Sequence, residues 1–310
     1  MTLYDVPAPA KINLFLHVVG RRADGYHLLQ TAFRFIDIAD TLHFEARPDG
    51  VIERAYELPG VPPEQDLIVR AARALQQATG TRQGARIGLE KRIPQGGGLG
   101  GGSSDAATTL IALNRLWNTG LSREALMALA LPLGADVPVF VFGQSAFAEG
   151  VGEALRPISL PPASYLIAQP DASVPTPAIF SAPDLTRDSE HVTITDFLAS
   201  PTSFFGKNDL EPVVFRQFPQ VFEAVRWLAN LGIRVRMSGS GACLYAEYPG
   251  PGTESEAVES VNESAILAEK KITATMRGAD KTISQTHPGF RLVKASAGLT
   301  EHPLRHWIES

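Results

Sequence analysis

The chain has 310 residues, 44% apolar and 20% charged, which is enough for two ordinary cores and excludes a wholly disordered, collagenous or coiled-coil protein. Its 28 basic and 33 acidic side chains leave a net charge of −5, so no general basic field exists to hold nucleic acid or an anionic membrane. The single cysteine, Cys243, excludes an internal disulfide or a cysteine-rich metal site and fits a reducing compartment. MTLYDVPAPAK lacks the charged and apolar regions of a signal peptide, and no apolar run approaches the roughly 18 residues of a membrane span. A cytoplasmic protein with no membrane or nucleic-acid partner is expected.

Residues 10–19, AKINLFLHVV, alternate Ile12, Leu14, Leu16 and Val18 with Lys11, Asn13, Phe15 and His17, predicting a strand with one mixed face. GRRADGYH turns at Asp24-Gly25, and two strand-like runs follow, LLQTAFRFIDI and TLHFEA, parted at Ala39-Asp40. Leu67, Ile68, Ala71, Ala72 and Leu75 have helical spacing that Gly80 ends. ARIGLEKRI predicts a strand leading into PQGGGLGGGSSD. Behind that loop Ala106, Leu110, Leu113 and Trp117 predict one helix, and Ser122 is placed to cap another. The run VPVFVF after Asp136 reads as an apolar strand, and SAFAEGVGEAL closes this half.

The proline-rich RPISLPP sets a domain boundary, giving domains of residues 1–155 and 156–310. The second half offers strand YLIAQP, then PTPAIF, a Ser/Thr/Asp stretch, helix FPQVFEAVRWLANLG, strand VRM, the small-residue loop SGSGA and strand CLYAEY. A Glu-rich helical pattern covers residues 254–269, but KKITATMRGADKTISQTH has neither periodicity nor a core signal. Residues 252–287 are therefore expected to form an insertion of low order. Helices and strands mix without a βαβ repeat, which makes the fold class α+β.

Glycine lets backbone N–H groups approach a ligand closely, and GGGLGGGSS joins a strand to an Ala-rich helix whose N-terminus favours anions. A phosphate cradle fits that setting better than a linker, though a spacer would have similar composition. Ser103 stands where a Walker A loop needs Lys, and no fitting acidic residue follows at dinucleotide-fold spacing. Taken alone, Asp136 reads as a turn or cap aspartate and Lys11 as a solvated edge residue. Tyr26 reads as a hairpin's aromatic plug with His27 a bystander, and SGSGA as a tight turn.

In their order, PAPAKINLFL, RRADGYH, PQGGGLGGGSSDAA, LGADVPVFVFG, PTPAIF, KNDLE and MSGSGAC resemble the GHMP kinase superfamily over residues 7–248, with a weaker return at FRLVKASAGLTEHPL. ADGYH, with AKINLFL and GADVPVF, narrows the resemblance to members that phosphorylate a cytidine diphosphate-linked methylerythritol in the non-mevalonate isoprenoid pathway. The resemblance implies an N-terminal nucleotide-binding domain with a left-handed βαβ unit and a C-terminal ferredoxin-like domain, with the site between them. It implies that Pro94, Gln95, Gly96, Gly97, Gly98, Leu99, Gly100, Gly101, Gly102, Ser103 and Ser104 wrap the phosphates of ATP. Asp136 becomes the catalytic base with Lys11 beside it. Tyr26, His27 and Phe180 become the cytosine site, with Asn13, Thr176, Gly239 and Ser240 also on the substrate. Mg²⁺ is the implied metal, although no Asp/Glu pair marks its ligands, and the implied assembly is a monomer or weak homodimer.

Asp66 departs from the Asn common near the adenine, and the 270–287 stretch is longer than the family pattern. A related kinase acting on mevalonate or homoserine is opposed by Tyr26-His27. A catalytically dead nucleotide sensor should lack Lys11 or Asp136, and an RNA-binding module should show a basic face.

Overall fold

The computed structural model describes residues 1–202, 204–250, 263–278 and 289–308. Two long strands, β1 (Thr2–Arg21) and β2 (His27–Arg47), pair antiparallel and form the frame. Strand β2 runs unbroken through Ala39-Asp40, where the sequence suggested a break. Asp40 stays opposite Ala8 in the ladder, and its carboxylate accepts the backbone N–H of Ile93 at 2.8 Å, so a turn-prone residue here ties down a neighbouring loop.

Next come β3 (Ile52–Arg54), α1 (Leu67–Thr79), β4 (Gly84–Glu90), α2 (Gly101–Leu116) and α3 (Arg123–Ala130). The caps are those the sequence announced. Gly80 ends α1 in the left-handed region at φ 66°, and the Ser122 hydroxyl accepts the Ala125 N–H at the start of α3. The run expected as a strand after Asp136 is instead a short helix, α4 (Val137–Phe142), bounded by Pro138 in its first turn and left-handed Gly143 behind it. Six apolar residues, five of them buried, carry no period, so only these flanks decide between helix and strand.

Strands β5 (Ala146–Glu149) and β6 (Ala154–Pro157) pair with each other, so the boundary expected at 155/156 falls inside a strand. The chain continues through β7 (Ala163–Pro170), α5 (Thr176–Phe180), α6 (Ile194–Ala199), α7 (Glu211–Gln217) and α8 (Pro219–Asn230). It closes with β8 (Arg236–Met237), β9 (Leu244–Pro249), α9 (Glu263–Gly278) and β10 (Phe290–Leu299). Helix α9 corrects the low-order expectation for its own residues. Ala265, Ala268 and Ile272 are buried at three- and four-residue steps, a stripe that the Glu/Lys-rich composition disguised. The remainder of 252–287 lies outside the described residues.

Among the described residues the main sheet path runs β3-β4-β2-β10-β7-β9-β8, so β10 joins the two halves. One apolar core packs α1 to α4 against β1, β2 and β4, and it includes Leu304 and Ile308 from the far end of the chain. A second core lies under α7, α8 and α9. A third, with Ile12, Leu14, Phe15, Phe147, Phe197, Tyr165 and Tyr245, fills the space between them. This middle core packs between the two halves around β1, whose Lys11 and Asn13 face the cleft described next.

Candidate active site

Between the halves lies a cleft of about 830 Å³, lined by the glycine loop, by β1, by the 24–27 hairpin and by residues 239–241. Every residue that the resemblance assigned to catalysis, the phosphates or the substrate lines it except Ser104. Ser104 is fully buried; its hydroxyl donates to Pro9 O at 2.7 Å and its N–H to Gly100 O at 2.8 Å, so it anchors α2 and has no donor left for a ligand.

The glycine loop is fixed by sterics. Gly96, Gly98 and Gly100 hold φ of 64°, 72° and 73°, the left-handed region that a side chain strains. A Cβ at Gly98 would also fall 2.1 Å from Ser238 O, and one at Gly97 would fall 2.5 Å from Cys243 Sγ. The loop is tied to the second half by Ala242 N–H on Gly96 O (3.2 Å) and Cys243 N–H on Gly97 O (3.0 Å). Gly100 caps α2 without any side-chain acceptor, so the first-turn N–H groups of this 16-residue helix open onto the cleft. Beneath the loop the Lys91 ammonium bridges Asp40 and Asp105, and burial pushes the Asp105 carboxyl up.

Lys11, 2% exposed, stands at one end of the cleft. Its Nζ donates to Asn13 Oδ1 at 2.7 Å and Gly98 O at 3.1 Å, and lies 3.2 Å from Asp136 Oδ2. Asn13 is held in turn, donating from Nδ2 to Thr31 Oγ1 at 2.9 Å. Asp136 occupies the cap position of α4, yet its side chain makes no cap hydrogen bond and turns to Lys11 instead. With 38% of its side chain exposed, it is the carboxylate on this floor that a ligand can reach.

The other end is aromatic. His27 and Phe180 rings lie 5.1 Å apart at 36°, while Tyr26 projects from the hairpin, 62% exposed. Burial, with Arg187 and Arg21 beside it, lowers the His27 pKa and keeps the ring neutral. Thr176 and Ser240 join their hydroxyls at 2.6 Å across the cleft wall.

Three residues that the sequence reading passed over support this arrangement. Asn208 donates to Met237 O at 2.9 Å and Gly239 O at 2.8 Å and so shapes the 238–241 loop; it reaches them because the 207–209 segment bonds to β1 at Leu16. Thr31 orients Asn13, and Arg187 contacts His27. The signal for Asn208 lay in KNDLE, one of the motifs that carried the resemblance. Asp66, whose departure from the family pattern raised a question at the adenine, caps α1: Oδ1 accepts Ile68 N–H at 3.0 Å and Oδ2 accepts Tyr56 O–H at 2.6 Å.

Comparisons with known proteins give the family. Residues 66–144 match the model of the GHMP kinases N terminal domain and residues 198–267 that of GHMP kinases C terminal. The chain is 76% identical to the 4-diphosphocytidyl-2-C-methyl-D-erythritol kinase of Bordetella bronchiseptica over the full length of both. The chain belongs to this family of GHMP kinases. The enzyme of the same name from Aromatoleum aromaticum is 52% identical over 99% of this chain and 97% of its own. A crystal structure of a 4-(cytidine 5'-diphospho)-2C-methyl-D-erythritol kinase superposes with a TM-score of 0.70 at 34% identity, covering 96% of this chain and all of the other. A homoserine kinase from Cytophaga hutchinsonii, at 14% identity and a TM-score of 0.64, shares the fold. The protein is thus a small-molecule kinase of the two-part GHMP fold, and no helix among its described residues is long and apolar enough to cross a membrane.

Proposed function

We propose that this kinase transfers the γ-phosphoryl group of ATP to the 2-hydroxyl of 4-diphosphocytidyl-2-C-methyl-D-erythritol. The observation that carries the reading is the Lys11–Asp136 pair, 3.2 Å apart, set between an anion cradle and an aromatic pocket in one cleft. N–H groups at the start of α2 cradle the phosphates. A side pocket of about 250 Å³, lined by Leu58, Val61, Leu67 and Leu89 beside the glycine loop, suits the adenine. Tyr26 and Phe180 stack on the cytosine and His27 bonds to its edge.

A carboxylate is a weak base toward an alcohol. In a loose phosphoryl-transfer transition state, however, the nucleophile keeps its proton until late, so holding the hydroxyl in line contributes more than basicity. Asp136 orients the hydroxyl and takes its proton. Lys11 stabilises the oxygen as negative charge grows on it, from a buried position where such a charge is little screened.

Among the described residues no cluster of carboxylates, His or Cys could hold a metal by itself. That fits Mg²⁺, which keeps several waters and is bound largely by phosphate oxygens; Ser103, in the first turn of α2, is the cleft hydroxyl that would hold it. The ion supplies charge neutralisation on the phosphates. The proposed setting is cytoplasmic, supported by the lone thiol of Cys243, buried and free.

The test is a coupled assay of ADP release. Turnover should require both ATP and the cytidine diphosphate-linked acceptor, and mevalonate and homoserine should fail to replace it. Equal rates with either of those alcohols would overturn the substrate assignment.

A further inference from the structure

Arg187 sits in the Ser/Thr/Asp-rich stretch after α5 that gave no signal in the sequence. Its Nε lies 3.0 Å from His27 Nε2, while its Nη atoms donate to the carbonyls of Ala182 (2.7 Å), Leu185 (3.0 Å) and Phe180 (3.2 Å). A guanidinium has donors only, so His27 Nε2 has to accept. A neutral imidazole carries one proton, and that proton is then on Nδ1. Among the described residues nothing bonds to Nδ1, and His27 lines the cleft. The ring therefore offers the cleft a single donor.

We propose that Arg187 is the positioning residue for base selectivity: it fixes the tautomer of His27 so that Nδ1–H meets an acceptor, and through the Phe180 carbonyl it fixes the aromatic partner as well. Resting on the acceptor reading above, this deepens it chemically. Cytosine N3 is an unprotonated acceptor, whereas uracil N3 carries a hydrogen. A donor locked onto Nδ1 pairs with the first and opposes the second, and the buried donor left without a partner makes the rejection stronger than stacking could. Without Arg187 the imidazole can move its proton to Nε2, and Nδ1 then accepts from uracil.

Two readouts test this. In ligand-free protein, ¹⁵N NMR of His27 should show a protonated Nδ1 and a bare Nε2, shifting to mixed tautomers in Arg187→Met. In the coupled assay, the preference for the cytidine diphosphate-linked acceptor over its uridine counterpart should shrink by roughly tenfold or more. That loss should appear in the acceptor KM rather than in kcat, with Arg187→Lys, which keeps a donor, restoring part of it. An Nε2–H tautomer in the native protein would overturn the proposal. So would an unchanged preference in folded Arg187→Met, or a parallel loss of both acceptors and of melting temperature, which is what a mere clamp on the 180–185 carbonyls would give. Failure of the native enzyme to use either acceptor would instead sink the proposed function, while the tautomer, read without ligand, would still decide the role of Arg187.

Discussion

At the floor of the cleft, Lys11 has as many acceptors within reach as it has ammonium hydrogens, in Asn13, Gly98 and Asp136. At the mouth, Tyr26 is 62% exposed, and the hydrogen bonds described for it, from its N–H to Asp24 Oδ1 and from Arg22 N–H to its carbonyl, are made by its backbone. The floor is set before any ligand arrives, as a group acting on a developing charge has to be. At the mouth, the stacking proposed for Tyr26 would add packing to a ring that is largely exposed. The difference teaches that an error at the floor should appear as lost rate in a stable protein or as a misfolded loop, while an error at the mouth should appear as lost affinity alone.

The largest effect expected is at Asp136. Asp136→Asn keeps the size and position of the side chain but removes the base, and kcat should fall by roughly 10² or more. ATP affinity by calorimetry should change little. Turnover within threefold of the native enzyme would break the comparison at its strongest point.

The glycine loop sharpens it. Gly98→Ala places a Cβ on the Ser238 carbonyl at a strained φ, whereas at Gly102 the nearest atom outside the glycine's own surroundings, Leu67 Cδ1, is 3.7 Å away. Gly98→Ala should therefore raise the ATP KM by about tenfold or lose the fold, and Gly102→Ala should retain the native melting temperature. Equal thermal losses for both variants would mean that the contacts with the second half are not what holds the loop.

At the mouth, Tyr26→Ala should weaken acceptor binding by about 1 to 3 kcal/mol, the worth of one base–aromatic stack, with melting temperature and ATP KM unchanged. A fall in melting temperature together with both KM values would return Tyr26 to hairpin packing.

The smallest effect lies away from the cleft, at His302. Complete burial, with Arg123 adding to it, lowers its pKa to about 3. Its Nδ1 accepts Leu304 N–H at 3.0 Å, so the ring is neutral in the fold. Below about pH 6.5 the unfolded chain takes up a proton that the native ring refuses, so stability present above that pH is lost as pH falls toward 3. His302→Asn, which keeps an acceptor near the Leu304 N–H, should flatten this loss in urea melts between about pH 7 and about pH 4.5. An unchanged slope would assign the acid sensitivity elsewhere.

The floor was more legible in the sequence than its supports. Gly96, Gly97, Gly98 and Gly100 announce themselves because left-handed backbone and close approach leave almost no residue type but glycine there. Lys11 and Asp136 lie 125 positions apart in number, and only the family resemblance joined them before the structure did. Arg187 and His27 are 160 residues apart, and an arginine among serines and aspartates has no local pattern that reveals such a partner. Helix α4 was missed because a short run of buried apolar residues has no period, and the part of α9 beyond Glu269 because its apolar stripe is thin against its charge. Ser104 was misplaced because a loop and the helix it opens are continuous in sequence, while its donors turn inward after the first turn of α2.

The return of β10 bears on how the protein is made. Gly298 and Leu299 pair with Ile36 and Phe35, His302 N–H bonds to Gly143 O, and Leu304 and Ile308 fill the first core. A ribosome delivers that core's other residues by Ala148 and its last ones only at Ile308. At ~5–20 residues per second, the nascent first half waits roughly 10–30 s with its seam open. Sealing it is thereby a sign that translation has passed Ile308. A message cut short in the second half yields a product with exposed core for proteases to find, rather than a free-standing ATP-binding half that would hold nucleotide without an acceptor site.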